Sequence, residues 1–143
     1  MTDIGVYTQS LLPENLSWDL GGPHEGFSQN GTLDISTFTQ AQHFPNGFIP
    51  SGAVLCIMPT TFLVGPYLNA GTGTQGVAVG ILKASVKVVN DNGTLKSKVG
   101  VAYWVAFRPV SASKLPWNVT NQAAGGYLDA TARTDLPLIY FAA

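Results

Sequence analysis

The stretch Gly76-Val77-Ala78-Val79-Gly80-Ile81-Leu82 constrains the fold of this chain more than any other. Val77, Val79 and Ile81 share one face at period two, and Ala78, Gly80 and Leu82 share the other. The spacing predicts a buried strand, and the small residues let another backbone approach closely or let the strand bend. The run itself carries no catalytic group.

Other apolar segments follow the same pattern. Ala53 to Met58 is a continuous apolar run led in by Pro50-Ser51-Gly52 and stopped by Pro59, which has no backbone donor. Phe62-Leu63-Val64 ends at Gly65-Pro66. A hairpin is expected where Ala84 to Val89 and Lys98 to Phe107 flank Asn90-Asp91-Asn92-Gly93, a strong turn signal. In the return strand Val99, Val101, Tyr103, Val105 and Phe107 form a large face expected to be core. Gly100, Ala102, Trp104 and Ala106 form a small face, which is either a second packed layer or a contact with another subunit. Leu136 to Phe141 reads as a last strand with Pro137 at its edge or first position. Helices are short: one turn ending near Gln42 and capped by Asp34 or Ser36, a second around Leu128 to Arg133 begun by Asp129, and a candidate at Asn118 to Ala124.

Residues 1 to 32 differ from the rest. Their apolar side chains follow neither period, and Pro13, Gly21, Gly22, Pro23, Gly26 and Gly31 interrupt them. They read as an extended N-terminal arm before a single β-rich domain over 33–143, or as a segment lying quietly over that domain.

Composition limits the partners. Charged residues make up 10% of the chain, against about 25% in an average soluble domain, which favours a surface covered by assembly. A net charge of -1 argues against nucleic acid, because phosphate contacts need a basic stripe. No apolar window reaches the length of a membrane span, and the N-terminus lacks the pattern of a secretory signal. Cys56 is the only cysteine and lies in an apolar run, so it reads as a buried thiol.

Candidate chemistry is sparse. Gly71-Thr72-Gly73-Thr74-Gln75-Gly76 spells a dinucleotide-binding pattern, but the residues after it are β-branched and strand-like, whereas a phosphate site needs a helix N-terminus there. His24 and His43 belong to no metal-ligand spacing, and the eight acidic side chains are scattered. No catalytic, cofactor-binding or metal residue is assigned, no small-molecule substrate is expected, and the protein is read as no enzyme.

Several segments, in order, resemble the phage head decoration proteins, both the lambda head decoration family and those of phages of Gram-positive hosts. They are Leu33-Asp34-Ile35-Ser36-Thr37-Phe38, His43 to Gly52, the Gly76 to Leu82 run and Leu136 to Phe141. The resemblance implies a mainly β fold, a bent β-ribbon forming a small incomplete, β-clip-like barrel with one or two short helices. It implies a homotrimer at local threefold positions on the outer surface of an expanded head, bound to the major capsid protein and stabilising the shell. The arm, through Ile4, Gly5, Val6, Tyr7 and Thr8, would then contact the capsid, adding as a strand to a sheet edge. Trp104 or Trp117 is expected at a subunit or capsid interface, given the low charge and the small strand face. The alternative is a carbohydrate-binding β module on a virion surface, stacking a sugar on Trp18, Tyr67, Tyr103, Trp104, Trp117 or Tyr127.

Overall fold

The computed structural model describes residues 14–22, 25–69, 71, 73–117 and 125–142. The longest strand, β7 (Lys98–Ala106), pairs antiparallel with β1 (Phe27–Asp34), from Phe27 opposite Ala106 to Asp34 opposite Lys98. On its other edge β7 meets β5 (Gly80–Leu82) only at Tyr103 and Trp104. Strand β3 (Val54–Ile57) lies between β5 and β4 (Val64–Pro66), and β4 reaches β1 through the parallel pair Leu33 and Val64. The result is a closed barrel in the order β1-β4-β3-β5-β7. The protein is thus mainly β with a small barrel and two short helices, as expected. The barrel is closed rather than incomplete because β1 pairs on both edges.

A single tyrosine shows how little room the barrel holds. A Cβ on Gly31 of β1 would lie 2.8 Å from Val64 Cγ2 and 3.1 Å from the Tyr103 ring, and a Cβ on Gly80 of β5 would collide with the same ring. Two strands therefore carry glycine where β7 carries Tyr103. Period-two alternation sends neighbouring residues to separate cores. Leu33, Leu55, Val64, Leu82 and Tyr103 join one; Val54, Cys56, Ile81 and Trp104 join the other, with Trp18, Tyr67 and Val110.

The two faces of β7 divide accordingly. Tyr103 is buried and Val99, Val101 and Val105 pack against its core, whereas Phe107, expected beside them, is exposed. Its φ of +57° turns the chain out of the strand. The small face is a packed layer at Trp104 and Ala106 and opens at Gly100.

Four expected strands are shorter or paired differently. Gly73–Gly76 forms a 3₁₀ turn and Val77 is exposed, so the Gly76 to Leu82 run joins the sheet only from Val79, whose N–H bonds Leu55 O at 2.8 Å. Ala78 N–H donates instead to the Asp135 carboxylate at 3.0 Å. Asn90 to Gly93 does turn, with Asn90 N–H on Thr94 O at 2.7 Å, and the hairpin continues through the Val89–Leu95 bridge and Lys96 N–H on Val88 O at 2.8 Å before the longer strands take other partners. Val86–Lys87 (β6) pairs with Phe48–Ile49 (β2), and β7 takes β1 instead. Turn chemistry sets a reversal locally; the long ladder to β1 decides the partner. The last strand, β9 (Tyr140–Ala142), begins after Pro137 and runs parallel to β8 (Pro109–Ser111).

The caps behave as their residue types require. Asp34 accepts from Ser36 N–H at 3.1 Å over the turn Ile35–Thr37, and helix α1 (Gln40–His43) follows. Asp129 accepts from Ala132 N–H at 2.7 Å to begin helix α2 (Ala130–Asp135). The helix candidate at Asn118 to Ala124 lies outside the described residues.

Much of the segment drawn as an arm belongs to the domain. Trp18 is fully buried and its indole N–H donates to Ser51 Oγ at 3.1 Å. Asp19 bridges Val110, and residues 27–32 lie in β1. Cys56 is buried, its Sγ–H donates to Pro66 O at 3.3 Å, and burial pushes the thiol up to about 11, which makes it unreactive.

Candidate functional site

Two surface features stand out, and Arg108 lies between them. Its guanidinium meets Asp19 through Nε to Oδ1 and Nη2 to Oδ2, both 2.6 Å, while Nη1 donates to Gly22 O at 2.6 Å and Glu25 O at 2.7 Å. It also lies 4.1 Å over the Trp104 ring. A buried cation held this fully fixes the chain on either side of it.

On one side is an apolar patch. Phe27 is 63% exposed, Phe107 58%, Leu138 56% and Tyr140 70%. The structure joins them: Phe27 and Phe107 meet edge to face at 5.5 Å, Phe107 N–H donates to Leu138 O at 2.7 Å, and Pro109 pairs with Tyr140. Scattered exposed apolar residues are ordinary, but a contiguous group of large ones is characteristic of a docking surface. Phe107 holds this position with a left-handed backbone that a bulky residue adopts at a cost of about 1–3 kcal/mol.

On the other side is a groove of about 680 Å³ between residues 83–87 and the start of β7. Trp104 and Arg108 line it, with Lys83, Lys87 and Lys96. Lys83 Nζ lies 4.5 Å over the Trp104 ring, and the buried Trp104 Nε1–H has no acceptor among the described residues. Lys87 pairs with Asp91 at 3.2 Å in the open; among the described residues no carboxylate pairs with Lys83 or Lys96.

The residues singled out from sequence are placed as follows. Trp104 is 6% exposed and helps form the groove; Trp117 is buried against His43, ring to ring at 5.1 Å. They do not meet in one site. Ile4, Gly5, Val6, Tyr7, Thr8 and His24 lie outside the described residues. Trp18, Tyr67 and Tyr103, weighed for sugar stacking, are buried too.

His43 is a core histidine. Its Nδ1 accepts from Thr39 N–H at 2.8 Å, so Nε2–H donates to Gly125 O at 3.1 Å, and burial lowers its pKa. Tyr67 OH and Asn69 Nδ2 both donate to Asp129, which also caps α2; burial first, and then Asp129, push the Tyr67 phenol up to about 12. That cluster ties loop to helix. Among the described residues no group of three or more His, Cys, Asp or Glu side chains is placed to hold a metal ion, and no helix is long and apolar enough to cross a membrane.

Sequence reasoning missed the apolar patch because its members come from three separate segments. The one available signal was Phe107 directly before Arg108-Pro109, where a strand ends on an aromatic. No protein-family model matches the chain, and no curated protein does.

Proposed function

We propose that this protein is a structural virion protein that docks on the outer surface of an expanded phage capsid and braces the major capsid protein shell, as a trimer at local threefold positions. The supporting observation is the patch of Phe27, Phe107, Leu138 and Tyr140, on a chain with few charges to keep such a surface apart from a partner. The capsid, the trimer and the lattice positions follow from the sequence resemblance. Trp104 and Trp117, buried within one copy, serve this role by shaping the surface rather than by inserting into a neighbour. The capsid-contacting part of the arm is Ile4, Gly5, Val6, Tyr7 and Thr8, ahead of Glu14, whose carboxylate accepts from Ser85. The carbohydrate alternative needs exposed rings, and most of those available are buried.

The test begins with solution mass by light scattering over a wide concentration range, followed by co-sedimentation with expanded phage heads stripped of decoration. A trimer that saturates the heads, and loses them on Phe107→Ser with Tyr140→Ser, is the expected result. A folded monomer that neither self-associates nor sediments with heads would sink the proposal.

A further inference from the structure

The sequence holds three Asn-Gly pairs, Asn30-Gly31, Asn46-Gly47 and Asn92-Gly93. In such a pair the glycine nitrogen can reach the side-chain carbonyl carbon of the asparagine, because no Cβ stands in the way. The reaction needs the chain to rotate at that point, and the fold permits this at one pair only. Asn30 and Gly31 lie in β1, opposite Ala102 and Val101 of β7, and Gly31 faces Val64 and the Tyr103 ring with no room to spare. Gly47 leads straight into β2, its carbonyl accepts from Val88 N–H at 2.9 Å, and a Cβ there would lie 3.3 Å from Val89 Cγ2.

Asn92-Gly93 has room to move, and its neighbours assist the chemistry. Both residues are exposed at the tip of the hairpin, beyond the Val89–Leu95 bridge, and a Cβ on Gly93 would meet nothing within 4 Å. Gly93 N–H donates to Asn90 O at 2.9 Å, a bond that water replaces when the exposed tip opens. The side chain is already polarised. Asn92 Oδ1 accepts from Thr94 N–H at 3.1 Å and from Thr94 Oγ–H at 2.6 Å, and Asn90 Nδ2 donates to that hydroxyl at 3.1 Å. Oδ1 is the oxygen that gains negative charge when Gly93 N attacks Asn92 Cγ, so both donors stabilise the intermediate more than the ground state.

We propose that Asn92 is a deamidation site at which the fold directs isoaspartate formation, with Thr94 donating to the reacting amide. Gly93 N gives its proton to hydroxide and bonds to Asn92 Cγ; the Cγ–Nδ2 bond breaks and ammonia leaves, closing a succinimide. Water then opens the ring at either carbonyl. Breaking the new N–Cγ bond leaves Asp, and breaking the original peptide bond leaves isoaspartate. Either product adds one negative charge to a chain of net charge -1, beside Asp91 and its partner Lys87 at 3.2 Å, and isoaspartate also lengthens the backbone of the turn by one carbon. The proposal does not rest on the capsid reading, and the apolar patch takes no part in it.

The test is incubation of the full chain at mildly alkaline pH, followed over time by peptide mass mapping and by labelling with an enzyme that methylates isoaspartate. The peptide holding Asn92 is expected to show the mass change from amide to acid, mostly as isoaspartate, while Asn30 and Asn46 stay intact over the same period. In urea, where ladder and turns are gone, all three sites are expected to react at similar rates. Thr94→Val keeps the N–H and removes the hydroxyl donor, and is expected to slow the reaction at Asn92 about fivefold. Thr94→Ser, which keeps the hydroxyl, should react as the parent does. Survival of Asn92, equal loss at Asn30 or Asn46 in the folded chain, or Asp without isoaspartate overturns the proposal. So does a Thr94→Val rate equal to the parent's, or an order among the three sites that urea leaves unchanged.

Discussion

Phe107 stacks edge to face on Phe27, at 5.5 Å between ring centroids, while its own backbone sits at φ +57°. The ring contact is worth about 0.5–1.5 kcal/mol, and the strained backbone costs about 1–3 kcal/mol. Strain therefore matches or exceeds the local gain. Phe107→Gly is expected to leave the unfolding free energy within about 1 kcal/mol of the parent, or above it, while removing one ring from the exposed apolar patch. Urea denaturation checks this; a loss well beyond that range would mean the ring is there for the fold.

Asp19 and Arg108 form the opposite kind of pair, nearly all of it out of solvent. Asp19→Ala leaves the guanidinium with two carbonyls and no counter-charge, which is expected to cost about 3 kcal/mol or more. The same denaturation experiment would show it, and a change under about 1 kcal/mol would contradict the geometry.

His43 gives a pH dependence of definite sign. Burial lowers its folded pKa below the ordinary value of 6.5, so the unfolded chain takes up the proton first. Its contribution to stability is complete above pH 6.5 and falls as pH drops from there toward the folded pKa. Comparing the slope of unfolding free energy with pH for the parent and for His43→Gln isolates this from the carboxylates. A parent no steeper than the variant below neutrality would be inconsistent with a neutral buried imidazole.

Gly80 and Gly100 both occur in strands of the barrel, with opposite expectations. A Cβ at Gly80 meets the Tyr103 ring and, at 2.6 Å, the Trp104 carbonyl, and backbone cannot swing aside. Gly80→Ala is expected to destabilise by about 2 kcal/mol or more, whereas Gly100→Ala, facing open space, should be neutral or slightly stabilising. Thermal melts of the two variants side by side would distinguish them, and equal melting temperatures would contradict the packing.

The features legible from residue order were those decided within a few residues. The mainly β class, the Asn90 to Gly93 turn, the caps at Asp34 and Asp129 and the buried Cys56 each depend on period, turn chemistry or capping that neighbouring residues supply. Strand pairing is a long-range choice. Lys98 to Ala106 could not be assigned to Phe27 to Asp34 from spacing, and the strand in 27–32 was hidden in a segment of weak apolar signal. The apolar patch and the groove depend on that choice. Phe27 meets Phe107 only because the ladder between β1 and β7 brings distant segments together, an outcome governed by burial of Tyr103 and Trp104 on opposite sides of one strand.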